Sequence, residues 1–263
     1  PCTIRLLDPP LHEFLPQNEA EQAELATALG ISLAEIKRRI ADKAEINPML
    51  GHRGSRLAVT YPEIYQMQVL AIAESALAVQ TTHHHAVAPK IMLPLIGTAT
   101  EMAYLKQLLQ QTINDYLVEN QQQLTYQIGT MIEIPRACLV ADQIAATADF
   151  FSFGTNDLTQ MTYGFSRDDI GHFMPDYQQQ GLMPAEPFQT LDQDGVGALM
   201  QLAVQKGRQT KPDLSIGVCG EVGGDPAAMP FYRDLGIDYV SCSPYRVPSA
   251  RLAAAQSQLT LAD

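Results

Sequence analysis

The sequence predicts one α/β domain built on a parallel sheet, either an α/β barrel or an open α/β sheet. Short β-rich runs begin near Thr3, Lys90, Tyr126, Asp149, Leu214 and Ile237, and the stretches between them carry apolar residues at helical spacing. Strands that alternate with helices pair in parallel through right-handed crossovers, which brings their C-terminal ends to one edge. Across 263 residues no composition shift marks a linker between two cores, so 1–263 is expected to form a single domain.

The most informative stretch is YQIGTMIEIPRACLVADQIAATADFFSFGTNDLTQ, residues 126–160. Its first run, 126–133, is stopped by Pro135, which cannot donate a ladder hydrogen bond, and it delivers Glu133 at its end. A short helical stretch over 137–148 follows. The second run, 149–153, leads into Gly154-Thr155-Asn156-Asp157 and delivers Asp157 in the same way. In a strand–helix–strand unit the two ends point the same way, so the two carboxylates can converge. Paired carboxylates that leave coordination positions for water and an anionic substrate suit Mg²⁺ or Mn²⁺. A lone acid at a strand end would read as an exposed loop residue; the matched pair is what singles these two out.

Lys plus Arg number 17 against 29 Asp plus Glu, a net charge of −12, and no basic patch stands out. That balance argues against nucleic acid as a partner. An acidic protein that handles an anion must gather a few arginines at one place, and two candidates stand out. Arg5 lies within a strand expected over 3–8, where it would pair with Asp8 or face a ligand. Arg53 lies in NPMLGHRGSRLAVTY, residues 47–61, a long loop without regular period, where Gly51 and Gly54 let the chain bend around a guanidinium suited to bidentate capture of phosphate or carboxylate. Residues 19–44 read as two helices split near Gly30, with Ser32 and Glu35 at capping-box spacing and Lys37-Arg38-Arg39 on a solvated face. Further helices are expected over 62–79, 101–119 and 197–206 and from Pro248 onward. TTHHH, residues 81–85, reads as a solvated loop, and 163–197 as a lid or rim over the strand ends.

The cysteines Cys2, Cys138, Cys219 and Cys242 are widely spaced without a CxxC pair, and no signal peptide is evident; reduced thiols and a cytoplasmic location are expected. No run approaches the ~20 apolar residues of a membrane span. Cys219 ends the strand expected over 214–219, in CGEVGGDP, and so shares its setting with Glu133 and Asp157. A thiol there can act as an acid or base whose pKa follows nearby charge. Glu221 is its rival, because strand alternation leaves both on one face. The other three cysteines read as packing residues.

TIRLLDPPLHEFLP, NPMLGHRGSRLAVTYPEIY, GTMIEIPRA, FFSFGTNDLTQMTYGFSRDD, LDQDGVG, CGEVGGDP and YVSCSPYRVPSARLAAAQ closely resemble the C-terminal, phosphoenolpyruvate-binding part of the pyruvate phosphate dikinase family of PEP-utilising enzymes. The resemblance spans essentially the whole chain. It implies a (β/α)8 TIM-type barrel that exchanges a phosphoryl group between a phosphohistidine on a mobile domain and pyruvate, in a homodimer that binds ATP elsewhere. By matching motif, Glu133 and Asp157 are implied as Mg²⁺ ligands that also meet substrate, Arg5 and Arg53 as phosphoryl-binding cations, and Gly154, Thr155 and Asn156 as the cradle of the pyruvate carboxylate. Cys219 is implied as the proton donor to the enolate carbon and the base in reverse.

Two departures follow. The family has a histidine after Cys-Gly-Glu where this chain has Val222, and six strands are counted where a closed barrel of this kind has eight. The chain opens on Pro1, so it is expected to be an excised piece whose two missing strands precede it. Phosphoenolpyruvate synthase and Enzyme I of the sugar phosphotransferase system share the shorter motifs and stand as alternatives. A truncated barrel that only binds or dimerises is the reading of a different class.

Overall fold

A computed structural model describes residues 2–259; Pro1 and 260–263 lie outside the described residues. Six strands form one all-parallel sheet in chain order: β1 (Thr3–Arg5), β2 (Lys90–Leu93), β3 (Gln127–Ile132), β4 (Phe150–Gly154), β5 (Ser215–Cys219) and β6 (Tyr239–Val240). The sheet curls. Lys90 Nζ on β2 lies 5.9 Å from the ring centre of Tyr239 on β6, although a flat sheet would separate strands so placed by roughly 19 Å, four spacings of about 4.8 Å. The result is part of a barrel, six strands wide.

Both faces of the sheet are covered, which is why its strands read as near-continuous apolar runs. Ile91, Leu93, Ile128, Ile132, Phe151, Phe153, Ile216 and Val218 point outward into the main core beneath the helices, whereas Met92, Met131 and Phe150 pack together on the concave side with Cys219 against them. The edge strands are shorter than their sequence runs because each pairs on one side only, over three residues for β1 and two for β6. β1 is also an exposed strand: Thr3 and Arg5 are exposed and Ile4 is half-buried.

The helical expectation over 19–44 resolves into α1 (Glu19–Leu29) and α2 (Leu33–Asp42), parted by Gly30 at φ +65°. Ser32 caps α2 by accepting the Glu35 N–H at 3.1 Å, but the Glu35 carboxylate turns to Arg38 and Arg39 instead of closing the box. Most of the expected loop over 47–61 is helical: a 3-10 turn, Pro48–Leu50, leads to α3 (Gly54–Thr60). α4 (Pro62–His83) runs past its expected end and takes in part of the histidine tract, whose three histidines are exposed.

α5 (Ala99–Glu119) begins at a complete capping box between Thr98 and Glu101 and buries Met102, Leu105, Leu109, Ile113 and Leu117, one stripe at helical spacing. Cutting one such leucine to alanine costs about 2–5 kcal/mol. The stretch expected as one helix over 137–148 is two, α6 (Pro135–Leu139) and α7 (Ala141–Ala145); Pro135 starts the first, where its missing N–H is harmless. α8 (Thr155–Tyr163) follows β4 directly. Residues 163–197 hold α9 (Met174–Gln179) and a small cluster of their own around Ile170, Met174 and Phe188. α10 (Val196–Thr210), α11 (Met229–Asp234) and α12 (Val247–Leu259) complete the outer layer. Of the cysteines expected as packing, Cys138 is buried and Cys242 half-buried, but Cys2 is exposed. Among the described residues no helix is long and apolar enough to cross a membrane.

Candidate active site

A cavity of about 310 Å³ opens at the C-terminal strand ends and is lined by Arg5, Arg53, Glu133, Gly154, Thr155, Asn156, Asp157 and Cys219. Every residue expected at the site therefore faces one space, because parallel strands deliver their ends to the same edge. Asp8, Gln160 and Arg167 also line it.

Arg53 is the hub. Only 2 % exposed, it donates through Nη2 to both oxygens of Asp8, each at 3.1 Å, and through Nη1 and Nη2 to Asp157 at 3.3 and 3.0 Å. Burial alone would lower its pKa, but Asp157 and Asp8 more than offset this and hold the guanidinium protonated. Its Nε is buried without a partner among the described residues, a donor left for a ligand oxygen. Asp8, expected only as a partner for Arg5, joins both cations: Arg5 Nη1 lies 3.1 Å from it. The two expectations for Arg5 are thus met together, since its side chain pairs with Asp8 and, 44 % exposed, also faces the cavity.

Glu133 follows β3 and is 1 % exposed. Its Oε1 accepts the Leu95 N–H at 2.7 Å, and the Leu95 carbonyl accepts the Ser55 hydroxyl at 2.8 Å. Leu95 sits at φ +55°, an uncommon conformation for a bulky residue, and this peptide carries strain where it orients Glu133. Gly154 leaves no room for anything larger: a Cβ there would lie 2.1 Å from Glu133 Oε2. Gly154-Thr155-Asn156-Asp157 forms the N-cap and first turn of α8. Thr155 Oγ1 donates to the Cys219 carbonyl at 2.9 Å and Asn156 Oδ1 accepts the Glu221 N–H at 3.2 Å, which pins the turn to the end of β5. The free N–H groups of such a turn suit an anion.

Burial, then the charges of Asp157 and Asp8, push the Glu133 carboxyl well above the usual range, against the Leu95 N–H and Arg5. This crowding is what a divalent cation would relieve. Among the described residues no three His, Cys, Asp or Glu side chains form a metal cluster. The donor chemistry nevertheless fits Mg²⁺, which commonly uses one or two protein carboxylates and completes its shell with water and substrate oxygens.

Cys219 ends β5, and its thiol donates to the Phe153 carbonyl at 3.3 Å. Burial pushes this half-buried thiol up to about 11, so it is neutral at pH 7. Glu221 does not share its face, contrary to the alternation argument. Gly220 adopts φ +98°, where a Cβ would strike Thr155 Oγ1 at 2.2 Å, and the chain turns so that Glu221 is exposed and outside the cavity. Val222, which replaces the family histidine, is buried in the main core, and its carbonyl accepts the Tyr232 hydroxyl at 3.0 Å. That departure therefore does not face the cavity.

Sequence reasoning missed Gln160 and Arg167. Gln160 lies one helical turn after Asn156, a spacing that could have found it. Arg167 belongs to the expected rim over 163–197 and is the residue of that segment that lines the cavity. Its backbone N–H donates to Gln160 Oε1 at 3.0 Å, while its guanidinium lies 3.8 Å from Asp168.

Residues 1–259 match the family model of the PEP-utilising enzymes, PEP-binding domain, and the chain belongs to that family. More particularly, it is 54 % identical over 259 residues to pyruvate, phosphate dikinase of Clostridium symbiosum, covering 98 % of this chain and 30 % of that protein. It is equally similar to the Rhizobium meliloti (strain 1021) enzyme of that name, over 98 % of this chain and 29 % of the other. The chloroplastic enzyme of Mesembryanthemum crystallinum is 53 % identical over 97 % of this chain and 27 % of its own length. The chain thus spans about three-tenths of the curated relatives it matches. A solved citrate lyase from Burkholderia xenovorans LB400 aligns with a TM-score of 0.44 and 15 % identity, over 63 % of this chain and 48 % of that one, a likeness too loose to define a fold.

Proposed function

We propose that this chain, as one domain over 1–263, carries the pyruvate half-reaction of a pyruvate, phosphate dikinase: phosphoryl exchange between a phosphohistidine on a separate domain and pyruvate, forming phosphoenolpyruvate. The observation that supports it most is the convergence of Glu133, Asp157, Arg5, Arg53 and Cys219 on one cavity, in a chain more than half identical to proteins of that name. The six-stranded sheet is read as part of an eight-stranded barrel whose first two strands lie upstream, in a cytoplasmic homodimer that binds ATP on another domain.

In this reading Glu133 and Asp157 hold Mg²⁺, which when bound supplies positive charge beside the oxygens that turn anionic during transfer. Arg5 and Arg53 hold the phosphoryl group, Arg53 already oriented by Asp8 and Asp157. The first turn of α8, at Gly154 and Thr155, and the Asn156 amide receive the pyruvate carboxylate. As the histidine N–P bond breaks, the pyruvate oxygen forms the new O–P bond, and the methyl carbon releases its proton to the Cys219 thiolate, the minor form at neutral pH, which thereby becomes the thiol. In the reverse direction the neutral thiol returns that proton to carbon, the form that its raised pKa favours.

The test is exchange of pyruvate methyl hydrogens with deuterated solvent, followed by NMR in the intact polypeptide with Mg²⁺. Wild type should exchange; Cys219→Ala should not, while phosphorylation of the histidine domain by ATP continues. Exchange at the wild-type rate in the alanine variant removes Cys219 from the mechanism, and a wild type that neither exchanges nor binds phosphoenolpyruvate overturns the reading.

A further inference from the structure

The turn that carries Arg53 into the cavity is held from outside, by a residue that does not touch the cavity. We propose that Glu45 is a positioning residue for Arg53, its carboxylate clamping the Gly51–His52 peptide so that the guanidinium reaches its phosphoryl-binding pose. This rests on the reading of the cavity as a phosphoryl site.

Glu45 Oε1 accepts the His52 N–H at 2.6 Å, short even for a charge-assisted bond. Gly51 lies flat against the same carboxylate: a Cβ there would sit 2.4 Å from Oε1, 2.7 Å from Cδ and 2.8 Å from Oε2. Across the turn, Arg56 Nη1 donates to the Leu50 and Gly51 carbonyls at 3.1 and 3.0 Å. The Met49 carbonyl accepts from Arg53 Nη1 at 3.2 Å. The turn is thereby gripped at its carbonyls by two arginines and at its N–H by one glutamate. The His52 ring stacks on Tyr61 at 5.8 Å and its Nε2 lies 2.5 Å from Thr60 Oγ1, which ties the same residue to the end of α3. Glu45 forms no salt bridge among the described residues, so its charge is directed to a backbone N–H, unlike Glu35, which meets two arginines. Arg53 follows His52 directly, and misplacing a substrate-binding group by 1 Å can cost about 100-fold in rate.

The test compares Glu45→Ala, Glu45→Gln and Gly51→Ala in the intact polypeptide with Mg²⁺, measuring the KM for phosphoenolpyruvate in the pyruvate-forming direction. Glu45→Ala should raise that KM on the order of 10- to 100-fold, the range known for groups that orient a metal ligand. Reaction of the histidine domain with ATP should be unchanged. Glu45→Gln keeps an acceptor oxygen and should recover most of the loss. Gly51→Ala should reproduce the alanine phenotype, because the added methyl displaces the carboxylate, and the double variant should be no worse than Glu45→Ala alone. An unchanged KM in Glu45→Ala overturns the proposal, as does an equal loss in the histidine-domain reaction, which would mark a merely structural role. A wild type that fails to bind phosphoenolpyruvate fails the underlying reading instead, and shows it before any variant is made.

Discussion

Two arginine–carboxylate groups in this molecule are built from the same chemistry and differ in solvent. On α2, Glu35 pairs with Arg38 and Arg39 at 2.8 and 2.7 Å, and those arginines are 66 and 56 % exposed. At the strand ends, Arg53 pairs with Asp8 and Asp157 at 3.1 and 3.0 Å, and its side chain is 2 % exposed. The exposed group has the shorter contacts, yet water screens it and its members can be exchanged for solvent. In the buried group the charges have lost most of their hydration, so removing one member leaves the others short of a partner. Distance alone does not rank ion pairs; burial does.

The comparison breaks or sharpens in four ways. The largest effect is expected for Asp157→Ala, which removes a proposed metal ligand and half of the Arg53 clamp together. Pyruvate methyl exchange should fall about 10²- to 10³-fold, the scale of losing a main electrostatic contact at a reacting centre. A variant within tenfold of wild type would take Asp157 out of the site.

Next comes stability. Arg53→Met strips Asp157 of its arginine and leaves Asp8 only the half-exposed Arg5, and should cost about 3–5 kcal/mol in urea unfolding. Arg38→Ala should leave the urea midpoint where it is. Equal losses in both variants would mean that burial does not separate the two groups.

Mg²⁺ should raise the melting temperature of the wild type and not of Glu133→Gln; at one hundred times its dissociation constant the gain is about 2.7 kcal/mol. A rise of the same size in the glutamine variant would place the ion elsewhere.

The smallest effect concerns pH. Burial disfavours the charged form of Cys219, and its thiol, at about 11, must lose a proton before it alkylates. Its reaction with iodoacetamide should therefore stay slow through pH 8 and rise only near pH 10 to 11, whereas the exposed Cys2 is open to the reagent. Mass spectrometry of the two peptides would separate them, and equal labelling at pH 8 would contradict the buried setting.

The sequence by itself determined the strand-and-helix order, the parallel sheet and the acids at the ends of β3 and β4, because these follow from local periodicity and from breakers such as Pro135. It also singled out Arg5, Arg53 and Cys219. Only the tertiary structure decided how they meet. Arg53 reaches Asp8 across 45 residues and Asp157 across 104, and Glu133 takes its N–H from Leu95, 38 residues away. No short-range pattern encodes such pairings. Likewise the two cavity candidates at Cys219 and Glu221 were separated by one backbone angle at Gly220, a conformation that glycine permits but does not require. Local chemistry specifies which groups stand at the strand ends. The curl of the sheet and the packing above it specify which of them share a space, since that depends on contacts between segments far apart in the chain.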